Sequence, residues 1–274
     1  MSNGIIKRMS FRPKNEAHSI AESVFSLTWK VGEGVEAFNP DVLKKIQSSK
    51  LLIEKFPKIN SLTEFQFKFQ LEAEPTIGNM PNVGLEMQSL RKDGTFAWML
   101  RVLNGGIYIH CMDYSTWKEI WHTIDEVFKE VFSHLTIDKF SSVALRYIDV
   151  FYYDGELAEY SLEELFKQST EYLTSKNFGK DHRWHCNSGW FQPIPEASKE
   201  CLNQLNILAG EVNENNQIFV QIDHNLVLNS DSDINYDSLD QLFSLLHKAN
   251  KNVLMSLLTE KMCKRLKLSC TNVN

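Results

Sequence analysis

The apolar positions of this chain recur with two different periods, and each period predicts one kind of element. Over residues 116–135, behind Thr116 and Glu119, apolar residues recur every three or four positions, which is typical of an amphipathic helix that begins with a capping box. Caps followed by similar spacing predict three more helices, which begin at Asn39-Pro40, Ser161 and Ser238. We expect the last of these helices to run to Leu266.

Between these helices, apolar and polar residues alternate, which predicts β-strands. The segments 23–31 and 64–73 are strands of this kind in the first half of the chain. The segment 84–112 contains the turn pairs Asp93-Gly94 and Asn104-Gly105, so it predicts three antiparallel strands. In the second half, the strand-like segments are 183–191, 202–212 and 216–228.

The predicted elements repeat after about 120 residues, from segment 23–31 to segment 141–154 and from the cap at Asn39 to the cap at Ser161. Each half then has the order strand, helix, four strands, long helix. The predicted fold class is α+β, with two pseudo-repeats, residues 1–138 and 139–274, in one compact unit. Antiparallel sheets would be covered by the long helices. This order resembles the half-unit of TATA-box-binding proteins and, more loosely, the helix-grip folds.

Composition narrows the class of protein. The 274 residues are 43% hydrophobic and include 17 Phe, 6 Trp and 8 Tyr, so the chain can form a large core. The net charge of −6 opposes a general role in coating nucleic acid. Five scattered cysteines, the lack of a signal-peptide pattern and the lack of a long apolar run together predict a cytoplasmic protein without a membrane span.

The spacing of the candidate residues does not fit known motifs for catalysis or metal binding. His182 and His185 alternate across a predicted strand beside Cys186, so they do not converge as zinc ligands. Segment 231–237 begins like a calcium loop, but Tyr236 and Leu242 stand where that loop needs glycine and glutamate. We therefore predict no catalytic residue, metal or cofactor, and the sequence favours a protein that is not an enzyme.

The candidate binding residues lie in two places. Strand 141–154 carries Arg146, Tyr147 and Asp149 within an apolar run. Arg146 and Asp149 are three positions apart, so they face opposite sides and each needs its own partner. Both a structural and a binding role remain open for them. The C-terminal helix carries Lys264 and Arg265, which could bind phosphate or simply favour the end of the helix.

Four segments together resemble a sporadically distributed bacterial family of uncharacterised proteins. They are AESVFSLTW at 21–29, LRYID at 145–149, IFVQID at 218–223 and LHKANKNVLMSLLTEKMCKRL at 246–266. In that family, a central Leu-Arg-Tyr-Ile-Asn/Asp strand precedes a late strand that ends in Asp and a C-terminal Leu-His…Leu-Thr helix. The resemblance implies no activity, but the patchy distribution implies an accessory genetic setting.

These observations lead to three hypotheses of function. The first is a non-enzymatic protein-interaction scaffold, such as an antitoxin or a phage-defence component, whose partner is the product of a neighbouring gene. The second is nucleic-acid binding through the sheet or the basic C-terminal helix. The third is binding of a small apolar ligand between sheet and helix. Homodimerisation is left open.

Overall fold

A computed structural model describes residues 9–30, 40–63, 82–137, 139–179, 181–197, 199–212 and 216–268. It confirms an α+β protein with a large antiparallel sheet and few helices. Within the described ranges, no helix is both long enough and apolar enough to cross a membrane. The predicted strand at 64–73 and the predicted cap at Asn39 lie outside the described residues.

The strands, in chain order, are β1 Phe11–Pro13, β2 Ile20–Thr28, β3 Lys58–Thr63, β4 Asn82–Leu90, β5 Phe96–Leu103, β6 Gly106–Cys111, β7 Lys139–Tyr153, β8 Trp184–Ile194, β9 Lys199–Val212 and β10 Gln217–Asn235. The α-helices are α1 Pro40–Gln47, α2 Lys50–Lys55, α3 Trp117–Phe132, α4 Leu239–Leu257 and α5 Glu260–Arg265. Short 3-10 helices cover Leu157–Glu159, Leu162–Glu164, Ser175–Phe178, Pro195–Ala197 and Tyr236–Ser238.

Two compact units are assembled from interleaved parts of the chain. The first unit comprises Met1–Ser23, Leu145–Leu228 and Gln241–Asn274. The second unit comprises Val24–Ala144 and Asn229–Asp240. The sequence predicts a boundary between two pseudo-repeats after residue 138, and this boundary stays a prediction.

In the second unit, α3 covers an antiparallel meander in which β3, β4, β5 and β6 are successive neighbours. The helix begins as predicted, because the Thr116 hydroxyl accepts a hydrogen bond from the Glu119 amide. Trp117 of α3 stacks on Phe25 of β2 with ring centroids 5.9 Å apart. Phe132, at the other end of the helix, meets Phe140 of β7 edge-on at 5.0 Å.

The turns of this meander are where the sequence predicts them. Gly94 adopts a left-handed φ of 82°, and the Asp93 carboxylate accepts a hydrogen bond from the Thr95 amide at 2.9 Å. The second turn connects β5 to β6 at Leu103↔Gly106. The first predicted helix is instead two helices, because Ser49 caps α2 by accepting a hydrogen bond from the Leu52 amide at 3.3 Å.

In the first unit, β7, β10, β9 and β8 are successive neighbours in the sheet, and β1 pairs with β7. The pairing of β9 with β10 and with β8 is antiparallel and continuous. Helices α4 and α5 cover one side of these strands. Their apolar residues join those of the strands in one buried cluster that includes Phe11, Phe151, Leu205, Ile207, Val220, Ile222, Val253, Leu257 and Met262.

Two helix predictions in the second half are wrong. The helix expected to begin at Ser161 is only the 3-10 helix Leu162–Glu164, because the chain then pairs with the end of α4. The Lys167 amide donates to the Leu257 carbonyl at 2.8 Å, and Phe166 and Leu258 form an isolated antiparallel bridge. The same contacts end α4 at Leu257, so it does not continue to Leu266.

After this break, Thr259 starts a new helix. Its hydroxyl accepts a hydrogen bond from the Met262 amide at 3.3 Å and donates one to the Glu164 carbonyl at 3.1 Å. The segment 231–237, with its calcium-like spacing, forms the end of β10 and part of the 3-10 helix Tyr236–Ser238. The sequence predicted four strands between the first helix and the long helix of each half. In the described chain, the second half has three strands, β8, β9 and β10, after β7 and before α4.

Candidate functional site

Arg146 and Asp149 lie on opposite sides of β7, as predicted from their spacing. The Arg146 side chain is 44% exposed, whereas Asp149 is buried. The partner of Arg146 is Asp223 of β10, which accepts hydrogen bonds from Nε at 2.7 Å and from Nη2 at 2.5 Å. Hydrogen bonding by this carboxylate raises the pKa of Arg146. The forked geometry fixes the guanidinium and cancels its charge.

Strand register extends this ion pair into rows of amide side chains. Asp223 of β10 lies opposite Asn206 of β9, which in turn lies opposite Asn187 of β8. In the next row, Asn225 lies opposite Gln204, which lies opposite Gly189. We call this side of β7, β10, β9 and β8 the open face, because α4 and α5 cover the other side.

The open face contains a shallow depression of about 500 Å³. It is lined by Arg146, Asn187, Ser188, Gly189, Gln204, Asn206, Asp223 and Asn225. One amide pair is already joined, since Nδ2 of Asn225 donates to Oε1 of Gln204 at 2.9 Å. An amide group both donates and accepts hydrogen bonds, so this lining suits an uncharged ligand that also does both.

Exposed apolar side chains border the depression. Phe191 follows Asn187 and Gly189 on the same side of β8 and is 67% exposed. Leu208 occupies the same side of β9, two positions beyond Asn206, and is 38% exposed. The open face thus combines hydrogen-bonding groups with a large aromatic side chain that could anchor a partner.

The helix-covered side of the same strands also carries polar groups, but these are buried. Asp149 accepts a hydrogen bond from the Ser19 hydroxyl at 2.6 Å, and burial raises the pKa of this carboxyl to about 6. Tyr147 is hydrogen-bonded to Nδ1 of His247 in α4 at 2.9 Å. Burial lowers the pKa of His247 to about 4, so this imidazole is neutral at neutral pH.

A second buried network surrounds His224 of β10. Nδ2 of Asn250 lies 3.0 Å from Nδ1 of the imidazole, and Oδ1 of Asn203 lies 3.1 Å from Nε2. Because the Asn250 amide nitrogen can only donate, Nδ1 accepts and Nε2 carries the proton. Burial lowers the pKa of His224 to about 4, which agrees with this neutral tautomer. Trp190 stacks on the imidazole at 5.9 Å, and Tyr172 stacks on Trp190 at 5.0 Å.

The two predicted basic residues lie in the last turn of α5. The Arg265 guanidinium donates through Nη1 to the Phe11 carbonyl at 3.0 Å, which ties α5 to β1. Lys264 is exposed. The contact of Arg265 favours a structural role for this turn, as cations at a helix C-terminus stabilise the helix.

The residues considered for zinc do not share a site. His182 is hydrogen-bonded to Glu211, whereas the Cys186 thiol contacts the Tyr172 carbonyl at 3.4 Å. His185 lies on the exposed side of β8. Among the described residues, no three His, Cys, Asp or Glu side chains are grouped so that they could hold one metal ion.

The structure therefore brings Arg146 together with residues that the sequence analysis did not name as candidate binding residues, namely Asn187, Gln204, Asn206, Asp223 and Asn225. Polar residues at alternate positions of segment 202–212 gave a signal for one of these strands. That pattern does not predict the order of the strands, and this order aligns amides from three of them. The chain matches no family model, and it has no significant match among curated proteins.

Proposed function

We propose that this protein is a non-enzymatic scaffold that binds another protein through the open face of the first unit. The observation that supports this best is the combination of a charge-compensated, amide-lined depression with an exposed aromatic residue beside it. Specific protein interfaces are enriched in aromatic residues and have few uncompensated charges at their centre, and here Arg146 and Asp223 compensate each other near the exposed Phe191.

Charge compensation identifies the chemistry of the partner. Among the described residues that line the depression, Arg146 is the one basic side chain, and Asp223 already binds it through both carboxylate oxygens. The other side chains of the lining that lie on the open face are amides. Such a surface fits the main chain of a polypeptide, which presents N–H donors and C=O acceptors in equal number. We therefore propose that the partner docks an uncharged segment of peptide on the open face.

The two other hypotheses have less support. Nucleic-acid binding needs several lysines or arginines that are available to phosphates, whereas Arg146 and Arg265 are held by Asp223 and by the Phe11 carbonyl. A ligand between sheet and helix needs space, but His224 there is hydrogen-bonded to Asn203 and Asn250 and stacks on Trp190.

Two further expectations from the sequence remain part of the proposal. The accessory genetic setting makes the product of a neighbouring gene, such as a toxin or a phage-defence protein, the first partner to test. The two-repeat topology is supported by element order, since β2, α1–α2, β3–β6 and α3 are followed by β7, 3-10 helices, β8–β10 and α4.

Selection from a random peptide library tests the proposed function and does not require the partner to be identified first. We expect peptides to be enriched on the wild-type protein and to lose at least about tenfold in affinity for Gln204→Lys, because a buried charge at an interface is unfavourable. Gln241→Lys is the matched control, since Gln241 is also exposed but lies on α4. No enrichment, or peptides that bind both variants equally, would contradict the proposal. Enrichment from an oligonucleotide pool instead would favour the nucleic-acid hypothesis.

A further inference from the structure

Strand β8 is the last strand in the order of the sheet. All of its residues pair with β9, from Trp184↔Ala209 to Ile194↔Lys199, without a shift in register. On its other edge, no strand pairs with it in the part of the chain that the structure describes. Within the described residues, the row of backbone N–H and C=O groups along that edge therefore has no strand partner.

This edge lacks the features that usually prevent edge-to-edge pairing. Its sequence, WHCNSGWFQPI, contains no Asp, Glu, Lys or Arg, and its proline, Pro193, is the next-to-last residue. By contrast, β3, the last strand at the other end of the order, has six residues and begins with Lys58. Long, regular and uncharged edge strands are templates for pairing with another chain.

The side chains of β8 are more accessible than those of its neighbour. On the helix-covered side, Ile207 and Ala209 of β9 are buried, whereas Cys186 and Trp184 opposite them are half-buried. On the open face, Asn187 and Phe191 are exposed. An additional strand beside β8 would therefore cover apolar surface on both sides of the sheet.

We propose that β8 pairs antiparallel with β8 of a second copy of this chain, around a two-fold axis at Gly189. Gly189 is the middle residue of the strand, so this register pairs the whole of Trp184–Ile194. It places Trp190 of one copy opposite Ser188 of the other, and Phe191 opposite Asn187, so large side chains meet small ones. A two-fold axis brings like residues near each other, and the absence of charge in β8 removes the repulsion that this would cause.

The strand is about 36 Å long, which gives a contact at the low end of the range for stable interfaces. We therefore expect a dimer that dissociates on dilution through the micromolar range. Dimerisation would use the backbone groups along the β8 edge, whereas the proposed function uses side chains of the open face, so failure of one proposal does not decide the other.

Paired charge substitutions test the proposed register by sedimentation or light scattering at about 100 µM, where such a contact would be populated. The double change Asn187→Lys with Phe191→Lys places lysine opposite lysine, and it should weaken dimerisation at least about tenfold. The matched change Asn187→Lys with Phe191→Glu places lysine opposite glutamate, and it should keep the dimer. Both variants alter the same two exposed positions, so their folding is comparable.

A cysteine at the two-fold axis gives an independent readout. A Cβ at position 189 meets the Asn203 carbonyl oxygen at 3.6 Å, an ordinary contact, so Gly189→Cys is compatible with the fold. Opposed residues in antiparallel strands have Cα atoms about 4.5 or 5.5 Å apart, which permits a disulfide. Mild oxidation should link Gly189→Cys into dimers, whereas wild type and Phe191→Cys should remain unlinked.

The outcomes separate the occupants of the edge. A wild-type protein that is monomeric at about 100 µM, or charge variants that behave alike, would overturn the proposal. Dimers that form without a disulfide at position 189 would overturn this register. A monomer that instead binds an extended peptide, and keeps that binding in Gln204→Lys, would show that the edge serves another protein.

Discussion

His224 and Asn225 are adjacent in β10, but they face opposite sides of one sheet and meet different surroundings. His224 is buried between Asn203, Asn250 and Trp190, and its ring nitrogens are both hydrogen-bonded. Asn225 lines the open depression and donates to Gln204. Polar residues occur on both sides of these strands, so polarity alone does not distinguish structure from binding. What distinguishes them is whether the neighbouring residues already satisfy the polar groups.

Removing the buried imidazole should have the largest effect. His224→Ala would remove the hydrogen-bond partner of Oδ1 of Asn203 and of Nδ2 of Asn250, and it would remove the imidazole that stacks on Trp190. We expect the free energy of unfolding to fall by about 4 kcal/mol. Asn225→Ala, one residue further along the strand, should change it by less than about 0.5 kcal/mol, since its side chain faces the open depression. Chemical denaturation of both variants measures this difference, and equal losses would mean that the two sides are energetically alike.

Acidic pH should destabilise the folded protein, because the same histidine is buried in its neutral form on the helix-covered side. The pKa of His224 is about 4 in the folded protein and 6.5 for an ordinary histidine, so the unfolded chain takes up the proton first as the pH falls. The contribution of His224 to the free energy of unfolding should therefore decrease by about 3 kcal/mol between pH 6.5 and 4, and it should not change above that range. His224→Gln should be less stable than wild type at pH 7.5, but its free energy of unfolding should decrease less than that of wild type as the pH falls. A variant with the same acid loss as wild type would contradict this assignment.

Asp149 should act in the opposite direction. Burial raises the pKa of this carboxyl from 3.8 to about 6, so the folded state favours its protonated form. Its contribution to stability is present below pH 3.8 and is lost as the pH rises through 6, by roughly 2–3 kcal/mol. Asp149→Asn should therefore gain stability relative to wild type as the pH rises from 4 to 7. Denaturation at both pH values measures this change, and a constant difference would show that Asp149 does not titrate in this range.

The sequence predicted on which side of a strand a polar residue lies where this follows from short spacings along the chain. The three-residue separation of Arg146 and Asp149 correctly placed them on opposite sides of β7. The partner of Arg146, Asp223, is 77 positions away, and only the strand order brings it near. The helix predicted at Ser161 was wrong for a related reason, since pairing of Phe166 with Leu258 prevailed over local helix signals.

Binding of a library-selected peptide to Gln204→Ala and Gln241→Ala tests the central claim, that the open face binds and the helix-covered side supports it. Both changes remove an exposed amide, and both should alter the free energy of unfolding by less than about 0.5 kcal/mol. The account predicts that Gln204→Ala weakens peptide binding about tenfold and that Gln241→Ala leaves it unchanged. Equal affinities for the two variants would contradict the assignment of the open face as the binding surface.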